Sequence, residues 1–113
     1  MKIDDLRQYA LSLPGATEEP HFEYSSFRVR GKIFVTVPPG GKHVHVFVTD
    51  ADREQALALN AAFAEKLVWG GKVRGLRIHM SNASPAVVYR LVRLAWLVKA
   101  PKRMVTAFKE RSM

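Results

Sequence analysis

The chain has 113 residues, 25% of them charged and 48% apolar, a balance that suits one folded domain over residues 1–113 and argues against disorder. A chain of this size buries about two thirds of its unfolded surface and needs no staple to hold a core. With no cysteine, disulfides and thiolate metal sites are excluded. The net charge of +8 is uneven: residues 1–65 carry seven Lys/Arg against nine Asp/Glu, whereas residues 66–113 carry eleven Lys/Arg against Glu110 alone. Such a basic portion suits a polyanionic partner, although a solubilising surface has the same composition. The opening MKIDDLRQYALSLPG is too short and too charged for a signal peptide, and no apolar run approaches a membrane span. A cytoplasmic protein without a membrane partner is therefore expected.

Leu6, Tyr9, Ala10 and Leu13 recur at helical spacing behind Asp4 and Asp5, and Pro14-Gly15 stops them, which predicts a helix over residues 4–13. TEEPHFEY, acidic and broken by Pro20, reads as a loop. FRVRGKIFVTV alternates apolar and cationic residues about Gly31. A three-residue turn, Arg30-Gly31-Lys32, pairs Val29 with Ile33 and Phe27 with Val35, placing those four and Val37 on one face with Arg28, Phe34 and Thr36 on the other. Pro38-Pro39-Gly40-Gly41 reverses the chain into a strand over His43–Val48, with Val44, Val46 and Val48 inward and His43, His45 and Phe47 outward.

Thr49 or Asp50 caps a second helix, which runs to about Asn60 and resumes weakly through AAFAEK. VWGGKVRG, with three glycines, reads as a loop or a bulged strand. LRIHM turns Leu76, Ile78 and Met80 inward and Arg77 and His79 outward. Ser84-Pro85 pairs a hydroxyl N-cap with proline at the first helical position. The apolar face that follows (Val88, Leu91, Val92, Ala95, Val98) is wide enough to lie across a sheet. Pro101 breaks that helix and opens a last one, KRMVTAFKE. Helices interspersed with strands joined by tight turns predict an α+β two-layer sandwich: one antiparallel sheet containing residues 24–30, 33–37, 43–48 and 76–80, with helices packed on one side and residues 84–99 as the longest.

Recognisable catalytic chemistry is scarce. No cysteine nucleophile or G-x-S-x-G elbow is present, and PPGGK lacks the spacing and Ser/Thr of a phosphate-binding loop. A non-enzymatic protein is expected, with no buried nucleophile–base pair; Ser25 or Ser26 beside His21 would be the place to look for one. Glu18, Glu19 and Glu23 lie in a solvated stretch that offers little to shift their pKa. His43 and His45 point the same way, and His79 would join them at a zinc-like site if the two strands were neighbours; polar residues on a solvent face are the plainer explanation, and no cofactor is expected. Trp96 reads as a packed core residue. Trp69 does so too, with an exposed stacking role as its alternative.

LSLPGATEEPHF, SFRVRGKIFVTV, Trp69-Gly70 and AWLVKAPKRMV occur in that order across nearly the whole chain. In this combination the sequence resembles the MmcQ/YjbR family, small proteins labelled DNA-binding by fold resemblance and described as having a CyaY-like double-wing arrangement. Relatives usually open the late strand with a second tryptophan; here Leu76 holds that place. The resemblance implies a YjbR/CyaY-like fold and DNA as a partner. Arg30, Lys32, Lys72, Arg74, Arg77, Lys99, Lys102 and Arg103 are the candidate phosphate contacts, in short separated clusters of the kind a backbone-reading surface needs. No helix carries Asn, Gln and Arg at base-reading spacing, so the binding expected is weak and largely indifferent to sequence. The alternative is a protein-partner or chaperone-like adaptor that uses Phe34 and Phe47 as exposed anchors on the sheet face.

Overall fold

The computed structural model describes residues 1–111. Helix α1 (Ile3–Ser12) leads into strands β1 (Ala16–His21), β2 (Tyr24–Val29), β3 (Lys32–Val37) and β4 (His43–Val46). Helix α2 (Asp50–Leu59), strands β5 (Ala64–Trp69) and β6 (Lys72–His79), a 3-10 turn (Met80–Asn82) and helices α3 (Pro85–Lys99) and α4 (Lys102–Arg111) complete the chain. The six strands form one sheet in the order β1-β2-β3-β4-β6-β5, every pair antiparallel. The α+β architecture and the four anticipated sheet segments are present, and α3 is the longest helix.

The helices begin and end for local reasons. At α2 the Thr49 hydroxyl accepts from the Asp52 N–H at 3.1 Å, satisfying one of the donors a helix start leaves open. Ser84 precedes α3 as expected, but its hydroxyl makes no capping bond. Pro85 instead removes one N–H from the first turn, and the Ser84 carbonyl accepts from Val88 at 3.0 Å.

One hydrophobic cluster lies between the sheet and the helices. It joins Leu6 and Ala10 of α1, Ala56 of α2, and Val88, Leu91, Val92, Ala95 and Trp96 of α3 to Phe27, Val35, Val44, Val46, Leu76 and Ile78 of the sheet. Met104, Val105 and Phe108 of α4 close its margin. Leu76 is fully buried in this layer.

Three expectations are corrected. The hairpin at Gly31 turns on two residues, Arg30-Gly31, both at positive φ (51° and 79°), so Val29 pairs with Lys32 and Arg28 with Ile33. A two-residue turn of this handedness matches strand twist, and Gly31 adopts it without steric cost. Beyond the turn a bulge restores the pairing of Phe27 with Val35. An extra residue in one strand lets two consecutive side chains face the same way. Phe34 and Val35 are both fully buried in the core, so Phe34 is not an exposed anchor.

The acidic loop is strand β1. Its proline is tolerated because β1 is an edge, where one row of backbone donors has no partner to lose. Glu18 accepts from Arg7 Nε at 3.0 Å and from the Ser25 hydroxyl at 2.6 Å, tying β1 to α1 and β2. Arg28 Nε donates to the Ser26 hydroxyl at 2.9 Å and its Nη2 to the Pro20 carbonyl at 3.3 Å. That places Arg28 in structural service. Finally, AAFAEK does not resume the helix: β5 starts at Ala64 and pairs with β6 through a Gly70-Gly71 turn. Val68 of β5 and Val73 of β6 are exposed, and such apolar residues on an open surface blur the alternation that would mark β5 and the start of β6 as strands.

Candidate functional site

The face of the sheet opposite the helices carries a row of polar side chains. Ser26 pairs with Thr36, Thr36 with His45, His45 with Arg77 and Arg77 with Glu65, so five strands each contribute one residue in register. Outward alternation is visible strand by strand in the sequence. Alignment of the row depends on register, which only the folded sheet sets.

Ser26, Thr36 and His45 in this row are buried. The Ser26 hydroxyl donates to the Glu19 carbonyl at 2.7 Å, so neither Ser25 nor Ser26 engages His21. A buried hydroxyl–imidazole pair does exist, contrary to expectation, at another place: Thr36 Oγ1 and His45 Nδ1 share a hydrogen bond at 3.2 Å. Aromatic rings close over His45, with Trp69 in T-shaped contact at 5.3 Å and Tyr24 at 6.0 Å. Its Nε2 has no protein partner. Burial, reinforced by His43 and Arg77, lowers the His45 pKa to about 4.

A stability effect follows from this burial. Unfolded, His45 takes up a proton below about 6.5, whereas folded it stays neutral down to about 4. Between those values the unfolded chain binds more protons, so stability falls as pH drops through that window. The expected loss is about 2 kcal/mol once screening by solvent at the sheet face is included. Urea unfolding at pH 7 and pH 4.5 of the wild type and His45→Gln checks this, because the glutamine variant should lose less stability on acidification.

His43 stands directly opposite His79 in the β4–β6 register, so the two strands are neighbours. The His43 ring centre lies 5.4 Å from that of His45 and 6.2 Å from that of His79. His79 Nε2 meets Glu65 Oε1 at 3.2 Å, and Arg77 Nη1 reaches the same oxygen at 3.3 Å. Among the described residues, no group of three or more His, Asp or Glu side chains is placed to hold a metal ion.

Along this face runs a groove of about 710 Å³ lined by His21, Phe22 and Tyr24 at one end and by Lys32, Phe47, Trp69 and Lys99 toward the other. A second hollow of about 580 Å³ shares Phe47, Trp69 and Lys99 with it and adds Gly70 and Arg74. Trp69 is 40% exposed, so it is a surface ring and not the core residue expected of it. Trp96 behaves as anticipated and is fully buried. Phe47 lies beneath this groove, 5.9 Å from Trp69. Phe22, 94% exposed, was passed over in the sequence because the segment around it reads as a loop.

The candidate cations divide. Lys32, Lys99 and Arg74 border the two adjoining hollows. Arg30 is exposed in the β2–β3 turn and Lys72 at the start of β6, in register with Trp69. Arg77 is engaged by Glu65. Lys102 and Arg103 line a separate hollow on α4 with Thr106, Ala107 and Glu110. Among the described residues, no helix is long and apolar enough to cross a membrane.

The fold matches the crystal structure of the Deinococcus radiodurans protein DR2400, which carries the domain DUF419. The TM-score is 0.73 at 16% sequence identity, over 86% of this chain and 77% of that one. No protein of curated function matches the sequence. A family model described as YjbR matches residues 11–98, a span that runs from the end of α1 through the sheet to the last turn of α3 and includes Lys32, Phe47, Trp69 and Arg74 of the groove. The chain belongs to the YjbR family.

Proposed function

We propose that this protein binds nucleic acid weakly and without sequence preference, through phosphates held by Lys32, Arg74 and Lys99 at the sheet-face groove, with Arg30 and Lys72 extending the contact. The observation that carries this reading is the convergence of Lys32, from the start of β3, and Lys99, from the end of α3, on one groove, with Arg74 beside it. Separated cations brought to one surface suit a phosphate chain, each replacing a condensed counterion. Lys102 and Arg103, which directly follow Pro101 at the start of α4, would extend the contact from their separate hollow.

The reading is one of binding without catalysis. An imidazole with a pKa near 4 is a weak proton acceptor at neutral pH, and the Thr36 hydroxyl it meets is only 2% exposed. The adaptor alternative loses one of its two anchors with the burial of Phe34.

Fluorescence anisotropy with a labelled mixed-sequence duplex at several salt concentrations tests the proposal. Affinity should fall steeply with salt, each phosphate contact contributing about −0.9 to the log–log slope. The double reversal Lys32→Glu/Lys99→Glu should weaken binding to all sequences alike and flatten the slope by roughly two such contacts. Lys102→Glu/Arg103→Glu should flatten it as well if the surface continues around α4. No binding at low salt, or a slope that neither pair changes, would sink the reading in favour of an adaptor.

A further inference from the structure

Resting on that reading, we infer that the ligand class is single-stranded nucleic acid, with unpaired bases stacked on the aromatic side chains of the groove. A phosphate-reading surface needs only cations. In this one half of the lining is rings: His21, Phe22, Tyr24, Phe47 and Trp69 share it with Lys32 and Lys99. In a duplex the base faces are stacked on each other, so an aromatic lining gains nothing from them. An unpaired base offers a π-face to any ring, whatever its identity, and its phosphate follows to a neighbouring cation.

The platform is already in place. Trp69 is 40% exposed yet held by its contacts with His45 and Phe47, so stacking on it requires little further ordering. Against it His45 is kept neutral by burial, so the imidazole that supports Trp69 adds no charge of its own at physiological pH. Phe22 stands at the other end, 94% exposed on a backbone with φ of 57°. That φ belongs to the two-residue turn joining His21 to Tyr24, where hairpin geometry calls for it, so the ring is presented from a fixed turn. Two exposed aromatic residues at opposite ends, with cations at the Trp69 end and a second hollow continuing past Arg74, make a track open beyond a single nucleotide.

The experiment compares four probes on the full chain by anisotropy or competition: a short oligothymidylate, a mixed-sequence duplex of the same length, thymidine monophosphate and inorganic polyphosphate. Oligothymidylate should bind about tenfold more tightly than the duplex and should quench tryptophan emission. Trp69→Ala should reduce that single-strand preference about tenfold, the effect of losing one stacked base. Phe22→Ala, at a site too exposed to affect folding, should reduce it several-fold. If single strand, duplex and polyphosphate bind equally and both aromatic variants are silent while Lys32→Glu/Lys99→Glu weakens all three, the stacking inference fails and the phosphate reading stands. If the monophosphate binds as tightly as the oligomer, the groove is a mononucleotide site and the strand assignment is wrong. Absence of binding to every probe at low salt overturns both.

Discussion

Replacing Trp96 with alanine should destabilise the fold by about 4 kcal/mol, because the lost packing of a fully buried indole and the cavity it leaves add together. Two further losses accompany it. Trp96 Nε1 donates to the Pro14 carbonyl at 2.9 Å, so the α1–β1 connection would be left with an unpartnered acceptor. The ring also packs 5.0 Å from Phe108, and with it α4 would lose part of its seat. Domains of this size have a stability of only roughly 5–15 kcal/mol. A fall in melting temperature of at least about 15 °C is expected by differential scanning calorimetry. Trp96→Phe keeps most of the packing and gives up the hydrogen bond, and should cost about 1–2 kcal/mol. A Trp96→Ala protein that melted within a few degrees of wild type would show that α3 is not the keystone of the core.

The second large effect is expected at Gly75. A Cβ built there would lie 2.6 Å from the Val46 carbonyl oxygen and 3.2 Å from the Phe47 ring. The first contact is with backbone, which cannot swing aside, so β4 and β6 would have to separate where they pair. Gly75→Ala should therefore cost about 2–3 kcal/mol, at the upper end for overpacking. Gly71→Ala makes the contrast. Nothing lies within 4 Å of a Cβ there, and the cost comes only from its φ of 76°, about 1 kcal/mol. Urea denaturation of the two variants separates crowding from conformation. Because Gly75 admits the Phe47 ring, Gly75→Ala should also displace the floor of the groove and shift the emission of Trp69. Equal stability losses at both glycines would refute the crowding argument.

Much of the fold was legible from local pattern. The stripe from Val88 to Val92 and Ala95, and the alternation in Val44, Val46, Leu76 and Ile78, are set by residues whose period matches their element and are buried as that period requires, whereas Val98, expected on the same stripe, is exposed at the last turn of α3. The Thr49 cap is likewise a short-range matter, decided by a hydroxyl three residues before the donor it meets. The combination of short motifs was enough to indicate the family. Where elements lie at an edge the same reasoning failed, at β1 and β5, because an edge strand's neighbours, and not its own alternation, determine that it is a strand.

The candidate site was legible only as parts. The cations and the outward histidines were visible, but nothing in local sequence says that Lys32 and Lys99 line one groove, that Phe22 and Trp69 are its exposed rings, or that Trp69 folds over His45. Two devices decided this. The bulge in β3 sent Phe34 into the core and left Ile33 and Lys32 to the groove, and a bulge is a choice between pairing partners that only the assembled sheet can make. Strand order then set β6 beside β4, which aligned His45 with Arg77 and brought the glycine turn of Trp69 against Phe47. The sequence by itself determined the main helices, the central strands and the charge, because these follow from neighbours a few residues apart. The surface on which charge and aromatic rings coincide was decided by the tertiary structure, because register and crossing bring together residues from opposite ends of the chain.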